Sequence, residues 1–305
     1  MWGQPDMNDL LFELLLPELF DYATCLEYME RSALECLYRA DSTGVTRLFE
    51  LGSGPLLIKL TMRDGSFIQA RLLHGSVPGI EEQERLARYI TEWFDLDRDL
   101  TPFYTLAAAD PLLGPLAVRF HGLRIVGIPD LFEALCWAIL GQQVNLAFAY
   151  RLKQRLTAEY GRSMEWEGHT YYCFARPEDL LGVSVEELCA LQLTRSKART
   201  ILEVAALLAR GELSREALLD MPSPEAAEKE LVAIRGIGPW TAQYVRMRCL
   251  RDPSSFPVGD VGLQNAVKVL TGMDKKPTPA ELVGLSVGWR GWEAYATFYL
   301  WRTLY

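Results

Sequence analysis

The sequence predicts an α+β protein, with a small antiparallel-sheet unit over residues 1–128 and an all-α unit over residues 129–305. Two changes along the chain support that division. Strand-like runs before Pro129 give way to helix-like runs after it, and the charge balance shifts near the same place. In the first unit, TRLFEL, LLIKLTM and FIQARLL are short runs of β-branched and large apolar residues within 45–73. Gly52-Ser53-Gly54-Pro55 and Arg63-Asp64-Gly65 separate them as hairpin-type breaks. A helix follows in EEQERLARYITEWFDL, where Leu86, Tyr89, Ile90, Trp93 and Phe94 share a face. In the second unit the pattern predicts helices over 130–141, 145–160, 184–191, 195–210, 223–233, 239–250, 260–270, 278–286 and 290–303. Asp130, Ser214, Ser223, Asp260 and Thr278 precede apolar periodic runs as N-caps. Only 171–174 reads as a further strand.

Composition narrows the class. The chain has 305 residues, half of them apolar, enough to bury a sizeable core and too many for a disordered chain. The opening MWGQPDMNDLLFE lacks the basic start and apolar run of a secretory signal. The longest uncharged stretch, Ala134 to Tyr150, is broken by Gln142, Gln143 and Asn145 and is no membrane span. Cysteines 25, 36, 136, 173, 189 and 249 form no Cys-x-x-Cys pair and read as reduced, mostly buried cytosolic thiols. A cytoplasmic monomer with no membrane partner is expected.

The net charge of −9 at first argues against nucleic acid as a partner. Residues 1–130 carry 11 basic and 20 acidic residues, which leaves 20 of each in the remainder. The excess acid therefore belongs to the sheet unit, and the helical unit is neutral. That balance leaves nucleic acid open as a partner of the helical unit.

The most informative stretch is LVAIRGIGPWTAQYVRMRCL, residues 231–250. A helix ends at Ile234, Gly236-Ile237-Gly238 turns, and Pro239 opens a new helix at its first position. Glycines expose backbone N–H groups, and a helix N-terminus adds partial positive charge, so such a turn can hold a phosphate without lysine. Arg235, Arg246, Arg248 and Arg251 would supply nearby charge. A helical hairpin that needs glycine only for close packing reads equally well from Gly-x-Gly alone. Asp260 likewise reads alone as a plain N-cap.

Together these segments resemble the helix-hairpin-helix, Gly/Pro/Asp superfamily of DNA glycosylases. The hairpin is followed by FPVGDVGLQNAV, which resembles the family's Gly/Pro-rich loop and catalytic aspartate, here Asp260. FEALCWAILGQQVNLAFAYRLKQRL and LTRSKARTILEVA resemble core helices of the family. FDYATCLEYMERSA and VRFHGLRIVGIPDLFEA resemble the bacterial DNA-3-methyladenine glycosylase II (AlkA-type) branch, so the resemblance runs from Phe20 onward.

The resemblance implies a hydrolase of the N-glycosidic bond of alkylated purines, acting on duplex DNA with damaged bases. Bifunctional members carry a nucleophilic lysine two residues after the hairpin's second glycine. Trp240 stands there, which implies base release without strand cleavage. No four-cysteine cluster follows Asp260, which excludes the iron–sulfur branch. No cofactor is expected to be required for catalysis. The family implies a monovalent cation on hairpin carbonyls, including those of Ile234 and Ile237. Arg235, Gly236, Ile237, Gly238 and Thr241 would contact DNA, and Trp240, Tyr244, Trp301 and Tyr28 would line the base pocket. The aromatics of GWEAYATFYLWRTLY read equally as core. Gln143, in Gly141-Gln142-Gln143-Val144, takes the place of the wedge that fills the vacated stack; otherwise it is a solvent-facing helix end. Val261 departs from the aromatic the branch often carries, which bears on substrate range. Two other readings stay open: a helix-hairpin-helix binder without catalysis, and an 8-oxoguanine-type glycosylase/lyase.

Overall fold

A computed structural model describes residues 9–304 of the chain. Residues 1–8, which include most of the opening segment weighed above as a signal, lie outside the described residues. The fold is α+β, as the two periodicities predict. Five antiparallel strands form one sheet in the order β1-β5-β4-β3-β2: β1 Leu10–Leu15, β2 Tyr38–Asp41, β3 Gly44–Leu51, β4 Gly54–Arg63 and β5 Phe67–His74. The three predicted runs are the central strands β3, β4 and β5, paired from Leu51↔Gly54 and from Arg63↔Phe67. Helix α1 (Tyr22–Met29) is capped by Asp21, and α2 (Ile80–Trp93) buries Leu86, Ile90 and Trp93 against the sheet unit. Two further helices, α3 (Thr101–Ala109) and α4 (Leu113–Arg119), lie where no helix is predicted.

The helical unit runs through α5 (Leu131–Gly141), α6 (Leu146–Tyr160), α7 (Val185–Ala190), α8 (Arg195–Ala209), α9 (Arg215–Leu219) and α10 (Pro224–Ala233). It continues through α11 (Pro239–Arg248), α12 (Val261–Thr271), α13 (Pro279–Leu285) and α14 (Glu293–Trp301). Asp130, Ser214, Ser223, Asp260 and Thr278 all cap helices through their side chains. The predicted strand near 171–174 belongs to a two-stranded hairpin, β6 (Arg162–Trp166) with β7 (His169–Cys173). That hairpin packs on β3, where Tyr171 joins Leu48 and Leu57 in a small second core.

The main core is continuous from Tyr22 and Leu26 through Trp93 and Phe103 to Phe298 and Trp301. Its polar ties cross the same junction. Arg47 on β3 donates to Glu133 on α5 at 2.9 Å, and Lys153 on α6 bridges Glu133 at 3.4 Å and Glu35 at 3.0 Å. Asp95, after α2, accepts from Arg98 at 2.7 Å and from Arg251 Nε at 2.8 Å, and Tyr295 on α14 also donates to it. The Tyr295 bond ties α14 to the first unit, and α14 packs on α12, which brings Trp301 to that helix. All six cysteines are free. Among the described residues, no helix is long and apolar enough to cross a membrane.

Candidate active site

The site is assembled from the turn between α10 and α11, the N-terminus of α12 and the end of α14. In the turn, the Ile237 N–H donates to the Ile234 carbonyl at 3.0 Å, and the Ile237 side chain is buried as an anchor. Gly236 has φ +93°, and a Cβ there would meet Thr200 Oγ1 of α8 at 2.0 Å. Both conformation and space therefore demand glycine. Thr200 Oγ1 shares its proton between the Ser196 carbonyl at 3.1 Å and the Arg235 carbonyl at 3.2 Å, so the turn rests on α8. Among the described residues the N–H groups of Gly236 and Gly238 have no protein acceptor. They stand at the N-terminus of α11, a suitable seat for an anion.

Gln243, on α11, fixes the Gly/Pro-marked loop that follows the helix. Its Oε1 accepts from the Phe256 N–H at 2.9 Å and from Ser255 Oγ at 2.8 Å. The loop delivers Asp260 to the N-cap of α12, where Oδ1 accepts from the Leu263 N–H at 2.7 Å. Trp301 Nε1 donates to the same oxygen at 2.8 Å, and Trp240 Nε1 donates to Oδ2 at 2.9 Å. The carboxylate is half-buried, held by three neutral donors and, among the described residues, paired with no cation. Its negative charge is oriented but not neutralised. Tyr244 lies between the indoles, its ring centroid 5.8 Å from Trp240 and 6.0 Å from Trp301. The result is one carboxylate within a wall of three aromatic rings.

Residues 136–288 match the HhH-GPD superfamily of base excision DNA repair proteins. The chain belongs to that superfamily. Residues 46–135 also match the N-terminal domain of 8-oxoguanine DNA glycosylase. A DNA-3-methyladenine glycosylase of Bacillus subtilis is 46% identical over 302 residues, 98% of this chain and 99% of that protein. Among solved structures, a 3-methyladenine DNA glycosylase from Archaeoglobus fulgidus shares the fold with TM-score 0.82 at 23% identity, covering 95% of this chain and 97% of that one. The Clostridium acetobutylicum 8-oxoguanine glycosylase/lyase bound to DNA shares it with TM-score 0.72 at 18% identity, covering 97% and 98%.

Within this HhH-GPD chain the expected site residues separate into groups. Asp260, Trp240, Tyr244 and Trp301 meet directly. Tyr28 makes no ring contact with the two indoles: it is 2% exposed and packs on Phe298 at 4.5 Å. Arg248 connects the two phenols, donating to Tyr244 Oη at 2.7 Å and Tyr28 Oη at 3.2 Å. Trp137 Nε1 also donates to Tyr244 Oη at 2.8 Å. Burial raises the Tyr244 pKa, so the phenol is neutral at pH 7. Trp292, Tyr295, Phe298 and Tyr299 are packed in the core, as the alternative reading of the terminal aromatics had it.

The arginines are a correction. Arg246 is paired with Asp252 and Glu228, Arg251 with Asp95 and Asp97, and Arg248 is buried. Of the four arginines expected near phosphate, only Arg235 is exposed. Thr241, expected to contact DNA, is 1% exposed, and its hydroxyl accepts from Gln142 Nε2 at 2.9 Å. It is turned inward because it caps that amide. Gln143 is exposed, with φ +55°, and projects from the α5–α6 turn. A non-glycine residue in that region is uncommon and marks a constrained loop. Val261 is 56% exposed at the rim beside Asp260.

Sequence reasoning missed Gly262. A Cβ there would lie 2.9 Å from Asp260 Oδ1 and 3.3 Å from Trp301 Nε1. Its position two residues past Asp260, on the first turn of α12, was the available signal.

Proposed function

We propose that the protein is a monofunctional DNA glycosylase, which hydrolyses the N-glycosidic bond of alkylated purines of the 3-methyladenine or 7-methylguanine type in duplex DNA. The product is an abasic site for base excision repair. The observation that carries this reading is the Asp260 carboxylate, held by two indole N–H groups and one backbone N–H, with no cation to neutralise it among the described residues. The 46%-identical relative is named a DNA-3-methyladenine glycosylase, which supports the substrate class.

The chemistry follows from that charge. Breaking the C1′–N bond sends its electron pair to the base and leaves an oxocarbenium-like sugar. Asp260 stabilises that cation and orients the water that adds to C1′, whose proton passes to the carboxylate or to solvent. An N3- or N7-alkylated purine is already cationic and leaves as a neutral base, so no second carboxyl group is needed. Trp240, Tyr244 and Trp301 offer π-faces to the cationic base, each contact adding about 0.5–2 kcal/mol. Trp240 occupies the position of the lyase lysine and donates to Asp260 instead, which favours hydrolysis over β-elimination.

DNA is gripped by the free amides of Gly236 and Gly238 with Arg235 beside them, and Gln143 fills the gap left by the extruded base. A monovalent cation fits the hairpin by donor chemistry. The Ile237 carbonyl accepts no hydrogen bond among the described residues, and that of Ile234 accepts one and keeps a lone pair. Neutral carbonyl oxygens suit Na⁺ or K⁺. The expected state is a monomer, working in the cytosol.

Incubation with methylated duplex DNA tests the reading. Free 3-methyladenine or 7-methylguanine with an intact, alkali-labile strand is expected. Strand cleavage without alkali would point to a lyase, and binding without base release to a non-catalytic DNA-binding protein.

A further inference from the structure

The loop that carries Gln143 is tied to the DNA-gripping turn by bonds that pocket chemistry does not require. Gln142 Nε2 donates to the Gly236 carbonyl at 3.0 Å and to Thr241 Oγ1 at 2.9 Å, so both amide protons end on the hairpin. On the other side, Lys197 of α8 is buried and its Nζ donates at 2.7 Å to the Leu140 carbonyl, in the last turn of α5. That carbonyl belongs to a helix C-terminus, where unsatisfied acceptors and partial negative charge favour an ammonium. Burial lowers the Lys197 pKa, in keeping with a group enclosed by protein. Thr200, three residues on and so on the same face of α8, holds the Arg235 carbonyl of the turn. Wedge loop, hairpin turn and α8 thus form a closed triangle of side-chain-to-backbone bonds, with Gln143 at its exposed corner.

We propose that Gln142 and Lys197 are positioning residues that hold the wedge loop in register with the phosphate-gripping turn. Gripping the backbone thereby fixes where Gln143 enters the stack. The inference rests on the glycosylase reading and on Gln143 as the wedge. Fixing the backbone at residue 142 fixes the Cα of residue 143, whose left-handed conformation aims its side chain outward. Neither positioning residue touches the reacting atoms.

Gln142→Glu is the sharpest test, because it keeps the shape and replaces the donating nitrogen by an oxygen facing the Gly236 carbonyl. Single-turnover release of 7-methylguanine is measured from duplex and from single-stranded DNA for the wild type, Gln142→Glu, Gln143→Ala and the double variant. Lys197→Met is a second probe from the opposite side of the loop. The expected result is a loss of about tenfold on duplex for Gln142→Glu, the size of one or two hydrogen bonds. The double variant should be no slower than Gln143→Ala alone, and the Gln142→Glu loss should be smaller on single strands, since no stack needs filling there. Multiplying losses, equal losses on single strands, or an inert Gln143→Ala would each overturn the proposal. A wild type that releases no base would instead sink the glycosylase reading. The tie is then read without catalysis, from 2-aminopurine fluorescence beside an abasic analogue in bound duplex. Gln142→Glu should reduce that signal, and an unchanged signal would refute the tie.

Discussion

Glu133 and Asp260 are two carboxylates near helix N-termini of the same molecule, and their surroundings are opposite. Glu133, at the junction of sheet and helices, is buried between Arg47 at 2.9 Å and Lys153 at 3.4 Å. Asp260 is half-buried and receives only neutral N–H groups, from Leu263, Trp240 and Trp301. At the junction the charge is cancelled, so it stabilises the fold and has nothing left to offer a ligand. In the pocket it is oriented and left uncancelled, so a developing cation can complete it. The comparison separates an architectural carboxylate from a catalytic one by partner type rather than by burial.

The largest expected effect falls on Asp260. Asp260→Asn keeps a capping oxygen for α12 but removes the charge, and one indole then faces an amide nitrogen. Single-turnover base release should fall by about a thousandfold or more, the scale of losing a principal electrostatic stabiliser. Thermal stability should change little. Near-normal turnover would break the distinction drawn between the two carboxylates.

At Glu133 the expectation inverts. Lys153→Met leaves Glu133 and Glu35 buried with half their compensation, at a cost on the order of 3 kcal/mol. Denaturant unfolding should show that loss, while base release per folded molecule stays near wild type. A large drop in activity without loss of stability would place the junction in the catalytic apparatus.

Much of this arrangement is legible in the sequence, for identifiable reasons. The central strands carry β-rich runs between turn residues, and the helices carry caps. The edge strands are harder to see: β2 is the four-residue YRAD, and β1, LLFELL, has little alternation. Asp260 and Trp240 follow from the hairpin and its spacing. That Trp301 reaches Asp260 across 41 residues is not a matter of spacing, because the packing of α14 on α12 decides it. Gln142 and Lys197 escape notice because they bond backbone carbonyls, which carry no residue-specific mark. The arginines mislead for a similar reason. Their charge is visible in the sequence, but the pairing that consumes it is not: Arg251 meets Asp95 from the other unit, and Arg246 meets Asp252 and Glu228 only because the fold brings them together.

Gly262→Ala tests how tightly the pocket carboxylate is held. The added methyl would press on Asp260 Oδ1 and the Trp301 indole, both fixed by hydrogen bonds. A shift of a few tenths of an ångström at the reacting group should cost roughly ten- to a hundredfold in base release. Stability should fall by about 1–3 kcal/mol, as for overpacking. Trp301→Phe is milder, removing one donor to Oδ1 and leaving Leu263 and Trp240 in place. About a tenfold slowing is expected, the value of one hydrogen bond to a charged group. Substrate binding should weaken less, because the phenyl face still stacks.

The smallest effect is in acid and belongs to the junction. Burial pushes the Glu133 pKa up, but Arg47 and Lys153 outweigh it, and the net direction is below the ordinary carboxyl value. A carboxyl lowered in the folded state binds protons more readily when unfolded. Its stabilisation is therefore complete above the unfolded value, about 4.3, and is lost as pH falls through the lower folded value. Removing the Lys153 ammonium raises the folded value and narrows that window. Acid unfolding followed by tryptophan fluorescence should begin at a higher pH in Lys153→Met than in the wild type. Asp260→Asn should leave the acid profile of the junction as it was. An identical acid midpoint in Lys153→Met and the wild type would mean that Arg47 alone sets the Glu133 charge, and the junction would reduce to a single ion pair.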